Sequence, residues 1–304
     1  MQKWWSLLFG AVLGASFLLF LVSPFVPGWW LPPNVASFGW EIDYLFYVIL
    51  AFTGFFFVLT EAILVWAMYR YAYRPGQKAV YVEGNHRLEI AWTVVPALIL
   101  LFIAFAQVKA WEHIKYQSRM PEPDQIVEVM AHQWEWRIRY PAKTEDFAAN
   151  AKDSPEEKKD RQNKVRRWAE AAQFDDLQHI PNDLHVWKGA KVKIFLKTQD
   201  VLHSLFLPQL RLKQDALPGK TIPVWFEATD SNAHFEAGRT VIDNDPQGRP
   251  KEWEIACAEL CGGGHYRMKG HLYVHRDRDD YEAWLKHALD RQNSRQPNPT
   301  ESSK

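Results

Sequence analysis

Two long apolar stretches in the N-terminal third of the chain constrain its fold more than any other feature. Residues 42–68 are almost continuously apolar apart from Asp43 and Glu61, and residues 88–108 are comparable. A helix of about 20 residues crosses a hydrocarbon core about 30 Å thick. The sequence therefore predicts a transmembrane helical hairpin within residues 40–110.

Basic residues between the two stretches predict the orientation of this hairpin. The connecting segment has one acidic residue, Glu83, against four basic ones, Arg70, Arg74, Lys78 and Arg87. Positively charged loops stay on the cytoplasmic side of a membrane. We therefore expect a multi-pass protein of the inner (cytoplasmic) membrane, with the residues after the second span on the periplasmic or outer side.

A third apolar stretch lies within residues 1–30 and is either an extra transmembrane helix or a signal sequence. Tryptophan pairs flank it, and tryptophan often anchors a helix at the two membrane interfaces. The pairs are Trp4 with Trp5, and Trp29 with Trp30. They favour a retained helix.

Soft metal ligands are concentrated near the C-terminal end. The segment contains two thiols, an imidazole and a thioether, from Cys257, Cys261, His265 and Met268. Copper accepts sulfur and imidazole nitrogen together, whereas Mg²⁺ and Ca²⁺ need sets of oxygen ligands. Structural zinc sites usually have Cys-x2-Cys or Cys-x4-Cys spacing without methionine. Here three residues separate the cysteines and a methionine follows them, and this pattern favours copper over zinc.

A disulfide is the simplest alternative for the two cysteines, which are the only ones in the chain. It would close a short loop that constrains the unfolded chain little. It would also leave His265 and Met268 unexplained. Two bridging thiolates need a second histidine, and His203, after a strand-like run at residues 192–197, is the best candidate. The other histidines, which we assign to surface or core roles, include His132, His185, His234, His271 and His275.

The pattern Cys-x-Glu-x-Cys-x3-His-x2-Met, preceded by Asp-Val-Leu-His-Ser, resembles the binuclear CuA site of the haem-copper oxidases. That site belongs to the cytochrome c oxidase subunit II family. The resemblance implies that Cys257 and Cys261 bridge two copper ions and that His203 and His265 bind one copper each. It implies that Met268 is a weak axial ligand.

The same resemblance assigns roles to two glutamates. The backbone carbonyl of Glu259 would be the last copper ligand, and its carboxylate would reach a Mg²⁺ ion shared with subunit I, the catalytic subunit. Glu89, at the cytoplasmic start of the second span, would lie at the entrance of a proton pathway into subunit I. Glu61 has no such counterpart, and helix packing against a partner chain is its default explanation.

Two tryptophans flank Glu135 in a strand-like segment. From composition alone, such aromatic residues are more often packing residues than electron carriers. The resemblance instead implies that Trp134 is the exposed residue through which electrons from cytochrome c reach CuA, with Gln133 and Asp215 at the docking surface. Because Glu135 replaces a usual aromatic residue, we expect this docking surface to differ in detail.

Strand-like segments dominate residues 120–292, where β-branched and aromatic residues alternate in part and turn residues separate them. The segments are residues 126–140, 190–198, 223–229, 253–256 and 270–275. They predict an all-β Greek-key domain, which the resemblance narrows to a cupredoxin-like fold. A helix at residues 279–292 closes it, and residues 293–304 are predicted to be a disordered tail.

Two segments depart from the family pattern. Residues 143–185 are a long charged insertion, in which Ser154, Pro155 and Glu157 predict the capped start of a solvated helix. A docking role for this charged surface is the alternative. Residues 231–251 are a second insertion, and they lead into an unusual strand before the first cysteine.

The sequence predicts the electron-transfer subunit of a cytochrome c oxidase, an oxidoreductase and translocase complex. It would pass electrons from cytochrome c to haem in subunit I, where reduction of oxygen to water is coupled to proton pumping. A CuA subunit of a nitric oxide reductase and a membrane-tethered copper carrier are the alternatives. With 36 basic and 36 acidic residues, nothing suggests nucleic acid binding. The expected partners are subunit I and other oxidase subunits, cytochrome c or an equivalent donor, and membrane lipid.

Overall fold

The computed structural model describes residues 2–78, 81, 83–150, 152–178 and 181–295. The chain forms two compact units. The N-terminal unit consists of Met1–Pro32 and Glu41–Trp111, and the outer unit consists of Pro33–Trp40 and Glu112–Lys304.

Helices form most of the N-terminal unit. They are α1 (Gln2–Val22), α2 (Gly39–Arg70), α3 (His86–Ala106) and α4 (Val108–Lys115). The first two residues of α2 and the last four of α4 belong to the outer unit. Within the described residues, three helical segments are long and apolar enough to cross a membrane: Lys3–Phe25, Gly39–Arg70 and His86–Lys115. The two predicted spans thus lie in α2 and in the α3–α4 segment, and the third apolar stretch is helical as well.

Local sequence explains where α3 begins. The Asn85 side chain accepts hydrogen bonds from the backbone N–H groups of Arg87 and Leu88, which satisfies two donors that the helix itself leaves free. Glu89 lies in the first turn, where the helix dipole favours a negative charge. Pro96 lies inside the helix without ending it.

Glu61 faces another helix of its own chain. It lines a cavity of about 490 Å³ between α1 and α2, together with Gly10, Gly14 and Val65. The cavity wall is otherwise almost entirely apolar. The carboxyl group therefore marks the contact between α1 and α2, and a partner chain is not required to account for its position.

The outer unit is built from two sheets. The five-stranded sheet has the order β3-β2-β1-β5-β8, and the other has the order β10-β9-β12-β11-β6-β7, with β4 also paired to β12. The strands are β1 (Gln125–His132), β2 (Glu135–Tyr140), β3 (Leu177–Gln178), β4 (Asp183–Trp187), β5 (Lys191–Thr198), β6 (His203–Leu207), β7 (Leu212–Ala216), β8 (Ile222–Glu227), β9 (Ala233–Glu236), β10 (Arg239–Ile242), β11 (Glu254–Cys257) and β12 (Lys269–His275).

Both sheets contain parallel as well as antiparallel pairs, because β1 runs parallel to β5 and β12 runs parallel to both β4 and β9. Such pairs need crossover connections, so the topology is not a simple meander. Large side chains from the strands, including Trp136, Tyr140, Ile194, Leu196 and Leu205, are fully buried between the layers. The predicted cupredoxin-like fold is confirmed.

The charged insertion contains helix α5 (Pro155–Glu170), which begins as predicted. The Ser154 hydroxyl accepts a hydrogen bond from the Glu157 N–H, and the Glu157 carboxylate accepts one from the Ser154 N–H. Only one face of α5 is solvated. Val165, Trp168 and Ala169 pack with Ile126, Phe147 and Phe195, so α5 covers the outer face of β1 and β5.

A buried ionic cluster holds the end of α5 on the sheet. Arg139 contacts Glu128 at 2.8 Å and Asp176 at 2.6 Å, and Lys197 contacts Glu128 at 2.6 Å. Both cations also donate to the last carbonyls of the helix, Arg139 to Trp168 and Lys197 to Ala169. Positive charge at a helix C-terminus is favourable, and the free carbonyls are satisfied.

The second sheet packs against α6 (Arg278–Arg295), the predicted closing helix. Its Trp284 ring stacks on the imidazole of His185 with a centroid distance of 3.8 Å, and His185 lies 3.0 Å from the His275 ring nitrogen. Both histidines are buried, so of the surface or core roles expected for them they have the core role. Burial and the neighbouring His275 lower the pKa of His185 well below its ordinary value.

Several predicted boundaries were wrong. The segment at residues 126–140 is a hairpin of β1 and β2, because the chain turns at Gln133 and Trp134. The insertion at residues 231–251 contains the β9–β10 hairpin. Helix α6 extends to Arg295, so the predicted tail includes three helical residues, and residues 296–304 lie outside the described residues.

Replacing Glu128 tests the ionic cluster. Although burial would raise it, the hydrogen bonds and charges of Arg139 and Lys197 hold the pKa of Glu128 below its ordinary value of 4.5. We expect Glu128→Gln to lower the free energy of unfolding at pH 7 by about 3 kcal/mol, since two buried cations lose a counter-charge. Urea titration of the full chain in detergent, followed by tryptophan fluorescence, measures this change.

The stability effect of Glu128→Gln should depend on pH, in a direction that follows from the depressed pKa of Glu128. A depressed carboxyl pKa adds stability above pH 4.5, and this stability is lost as the pH falls through the folded-state pKa. The difference between wild type and Glu128→Gln should therefore shrink in acid. Exposed Glu156 provides the control, because Glu156→Gln should change stability little at any pH. A Glu128→Gln effect that does not vary with pH would contradict the proposed ionic contribution.

Candidate metal centre

Three neighbouring strands bring the sulfur and histidine residues together at one edge of the second sheet. His203 is the first residue of β6, Cys257 is the last residue of β11, and Met268 directly precedes β12. Strand β11 pairs with β6 on one side and with β12 on the other. Hydrogen bonds continue this pairing beyond the strands, because the Cys257 N–H donates to the Met268 carbonyl and the Ala258 N–H donates to the Ser204 carbonyl.

The ligand atoms form one contiguous cluster. The Sγ atoms of Cys257 and Cys261 are 3.8 Å apart. His203 Nδ1 lies 3.8 Å from the first sulfur, and His265 Nδ1 lies 3.5 Å from the second. Met268 Sδ is 3.9 Å from Cys261 Sγ. The structure therefore gathers the two cysteines, two histidines and one methionine that the sequence analysis selected.

The sulfur geometry fits metal binding better than a disulfide. Both cysteines are free thiols, and their separation of 3.8 Å is far longer than the S–S bond of about 2.0 Å. Metal–thiolate bonds of about 2.3 Å place two sulfurs on a shared metal up to about 4.6 Å apart. Ligand atoms of His203, Cys257 and Cys261 all lie within 4.8 Å of one another.

Each of the two weaker predicted ligands lies next to a different sulfur atom. The Glu259 carbonyl oxygen lies 3.2 Å from Cys257 Sγ, whereas the Met268 thioether contacts Cys261. Met268 is fully buried, and the Glu259 side chain is exposed. The Glu259 carboxylate is thus free to reach a group outside this chain.

Asp200 orients His203, a role that the sequence analysis missed. Asp200 Oδ1 lies 2.8 Å from His203 Nε2, and an ionised carboxylate can only accept, so Nε2 carries the proton. The lone pair then remains on Nδ1, which faces Cys257. The second carboxylate oxygen accepts from the Gln133 N–H at 2.7 Å. The available signal was an acidic residue three positions before the histidine, since metal-binding histidines usually donate to a carboxylate.

Charges in the cluster favour a bound cation. Burial and the nearby Cys257 thiolate raise the pKa of the Cys261 thiol to about 12. Burial would also raise the pKa of Cys257, but hydrogen bonding with His203 and backbone groups lowers it to about 6. A second thiolate beside that of Cys257 would be repelled by it, which is why the Cys261 thiol keeps its proton. Metal cations between the sulfurs would relieve this repulsion, so the soft donor set fits copper.

Trp134 lies directly against the cysteine loop. Its Nε1–H donates to the Cys261 carbonyl at 3.2 Å, and the Gln133 side-chain amide donates to the same oxygen at 2.7 Å. A Cβ at Gly264 would lie 2.3 Å from the Trp134 ring, so this close approach requires glycine. Gly262 has φ +114° and is likewise suited to its turn.

The remaining predicted residues lie elsewhere. Asp215 is exposed, and one of its carboxylate oxygens accepts from the Ser204 hydroxyl at 2.7 Å. Gln133 was predicted as a docking residue, and its amide is engaged by the cysteine loop. Glu89 belongs to the N-terminal unit, where its carboxylate lies 3.6 Å from His86 Nδ1.

Comparisons with protein families match both units. Residues 31–109 match the transmembrane domain of cytochrome c oxidase subunit II, and residues 125–242 match the periplasmic domain of cytochrome c oxidase subunit II. The second match ends before Cys257. The assignment of individual ligands therefore depends on the motif and on the geometry described above.

Two similar proteins that match most of this chain are also described as subunit 2 of a cytochrome c oxidase. The alternative cytochrome c oxidase subunit 2 of Bradyrhizobium diazoefficiens is 27% identical over 270 residues, which cover 89% of this chain and 86% of the relative. Cytochrome c oxidase subunit 2 of Thermostichus vulcanus is 28% identical over 281 residues, which cover 84% of this chain and 77% of the relative.

Solved structures include similar chains. The periplasmic domain of subunit II of cytochrome oxidase from Bradyrhizobium japonicum is 19% identical, with a TM-score of 0.36, and the match covers 57% of this chain and 98% of that one. A chain of a haem-copper terminal oxidase dimer is 15% identical, with a TM-score of 0.32, and covers 60% of this chain and 98% of its own.

Substitution of Asp200 tests how the histidine is held. We expect Asp200→Ala to weaken copper binding by about 10- to 100-fold, because His203 loses the acceptor that orients its ring. Competition with a copper chelator, followed by sulfur-to-copper absorption, measures the affinity. Asp200→Asn is the matched control, since it keeps an acceptor oxygen and should lose less. Equal affinities for wild type and the alanine variant would exclude an orienting role.

Proposed function

Because the chain belongs to the cytochrome c oxidase subunit II family, we propose that it carries electrons into a haem-copper oxidase. It would accept them from a cytochrome c at a binuclear copper centre, CuA, and deliver them to haem in subunit I. The observation that carries this proposal is the convergence of His203, Cys257, Cys261 and His265, each at 3.5 to 3.8 Å from its neighbour. Copper bound there would supply a one-electron redox centre.

Each ligand has a role that follows from its position. Cys257 and Cys261 would bridge the two copper ions, with His203 on the side of the first sulfur and His265 on the side of the second. Met268 and the Glu259 carbonyl would complete the ligand set weakly. Three of the six positions lie at the ends of paired strands, His203, Cys257 and Met268, so the sheet would hold them in place. The other three lie in the loop between β11 and β12.

The surroundings support electron transfer with little rearrangement. His203 is fully buried and lies against Trp136, whose ring centroid is 6.3 Å away. Met268 closes the cluster from within, and Asp200 fixes the imidazole from outside. Bound copper would supply one-electron chemistry there, and the buried His203, Cys261 and Met268 would limit the access of water to it.

Trp134 is the proposed point of electron uptake. It is partly exposed, and its indole N–H donates to the carbonyl of Cys261, one of the two proposed bridging ligands. An electron that reaches the indole ring is therefore one hydrogen bond away from a copper ligand. Gln133, bound to the same carbonyl, would position this contact, and Asp215 would lie at the docking surface.

Electron output is assigned to the Glu259 side of the site. Its exposed carboxylate would bind Mg²⁺ shared with subunit I, while its carbonyl contacts the Cys257 sulfur. One residue would thus connect the copper site with the catalytic subunit. The outer unit would lie on the periplasmic side of the inner membrane, and Glu89 would open a proton pathway from the cytoplasmic side.

Electron paramagnetic resonance of the copper-loaded complex, together with Trp134→Ala, tests this function. We expect a mixed-valence spectrum from one electron shared by two coppers. Labile single cuprous ions without that spectrum would instead indicate a copper carrier. The Trp134 variant should keep the spectrum and slow reduction by cytochrome c at least about tenfold, because the contact to Cys261 is lost.

Phe174→Ala is the matched control for Trp134→Ala, since Phe174 is an exposed aromatic residue outside the copper loops. It should leave the reduction rate unchanged. Comparing turnover on oxygen and on nitric oxide identifies the terminal acceptor of the complex. Unchanged reduction of the Trp134 variant would remove Trp134 from the electron path.

Glu89→Ala tests the proton pathway separately. We expect turnover and proton uptake to fall by about tenfold or more, because a carboxyl group that relays protons is lost. Stopped-flow measurement with a pH indicator on the assembled enzyme measures both. Glu83→Ala, in the preceding loop, is the control. Normal proton uptake in the Glu89 variant would leave that residue as a hydrated carboxylate at the membrane surface.

A further inference from the structure

An arginine lies over the proposed point of electron uptake. The guanidinium carbon of Arg267 is 5.4 Å from the centre of the Trp134 ring, and the Arg267 side chain is exposed. Among the described residues, no carboxylate forms an ion pair with Arg267. A cation over an aromatic face is held by the ring quadrupole, so the positive charge stays over the tryptophan.

Two carboxylates close to this surface have partners of their own, whereas Glu259, on the cysteine loop, is exposed. Glu135 contacts the Arg137 guanidinium at 2.7 Å. Asp200 accepts from the Gln133 and Val201 N–H groups and from His203.

Asp215, which the family resemblance places at the docking surface as an acidic residue that attracts a basic cytochrome, is also engaged. Its carboxylate accepts from Ser204, and it interacts electrostatically with Lys115. Lys115 itself donates to the side chain of Gln214 at 3.0 Å. The acidic residue expected to provide long-range attraction therefore has a basic neighbour.

Apolar side chains dominate the rest of the loop surface. Leu260, next to Cys261, is 79% exposed, and Tyr266, next to Arg267, is 76% exposed. Large apolar side chains at this exposure are typical of residues that a partner covers. The loop surface thus combines apolar area with a positive charge, that of Arg267, which has no ion-pair partner among the described residues.

We propose that the Trp134 surface, defined by Trp134, Leu260, Tyr266 and Arg267, docks an electron donor whose own docking face is acidic. A carboxylate on the donor pairs with Arg267 and brings the redox group over the indole ring. A donor with lysines around its redox group would instead bring like charges together, which slows encounter. This inference rests on the proposed function, because the surface is a docking site only if electrons enter at Trp134.

The test uses the assembled, copper-loaded oxidase and two soluble c-type cytochromes, one acidic and one basic. Stopped-flow reduction of the copper site is measured at about 10 mM and about 150 mM salt, where charges are screened beyond about 30 Å and about 8 Å respectively. We expect the rate with the acidic cytochrome to fall on the order of tenfold at the higher salt concentration. The rate with the basic cytochrome should stay constant or rise.

Substitution of Arg267 assigns the effect to this residue. Arg267→Gln should remove most of the salt dependence with the acidic donor, and Arg267→Glu should reverse the preference between the donors. The copper spectrum of each variant shows whether the site is intact. Arg239→Gln is the control, since it makes the same change in net charge at the start of β10. The β9–β10 hairpin meets β12 at His275, about 20 Å along the strand from the ligand end.

The outcomes separate the inference from the proposed function. If neither cytochrome reduces the copper site of the wild-type complex, the proposed function fails. If both reduce it but the basic donor is faster at low salt, the docking inference alone is overturned. The same conclusion follows if Arg267→Gln and Arg239→Gln change the salt dependence equally. The salt series on the wild type decides the question even if an Arg267 variant loses copper.

Discussion

Backbone pairing around β11 is the constraint on which the candidate site depends. The strand is short, but it pairs with β6 and β12 at the same time, and it ends at Cys257. This pairing places His203 beside a cysteine 54 positions later in the chain. The hydrogen bond from the Cys257 N–H to the Met268 carbonyl then closes the loop that contains the other ligands. Because these contacts are backbone hydrogen bonds, they hold the ligand positions independently of the side chains.

Side-chain hydrogen bonds then orient the ligands that the backbone pairing has brought together. Asp200 links His203 to the β1–β2 turn, because its two carboxylate oxygens serve the imidazole and the Gln133 N–H. The same turn presents Trp134 and the Gln133 amide to the Cys261 carbonyl. One acidic side chain thus couples a proposed copper ligand to the proposed point of electron uptake. Arg267, next to Met268, adds a positive charge over the indole ring, and we propose that this charge attracts an acidic electron donor.

The insertions modify the sheets away from the ligand loops. Helix α5 covers the outer face of β1 and β5 and is anchored by Arg139 and Lys197 through a buried ionic cluster. The sequence predicted the start of this helix, since a capping box is a local pattern. It did not predict the anchor, because Glu128, Arg139, Asp176 and Lys197 are spread over 70 residues and meet only after the sheet has formed. The charge run forms a solvated face, and the other side of the same helix contains Arg161 and Trp168, which are buried.

By itself, the sequence determined the apolar spans, the soft donor set between Cys257 and Met268, and the β-rich class of the outer unit, which the family resemblance narrowed to a cupredoxin-like fold. These features depend on residue type and on the spacing of residues that are close in the sequence, so they can be predicted from local sequence patterns. Tertiary structure alone decided that Asp200 orients His203, that the segment at residues 126–140 turns at Gln133 and Trp134, and that Arg267 lies over the indole ring. Those facts depend on side chains that strand pairing and loop closure bring together from separate parts of the chain, and no local pattern encodes such distances.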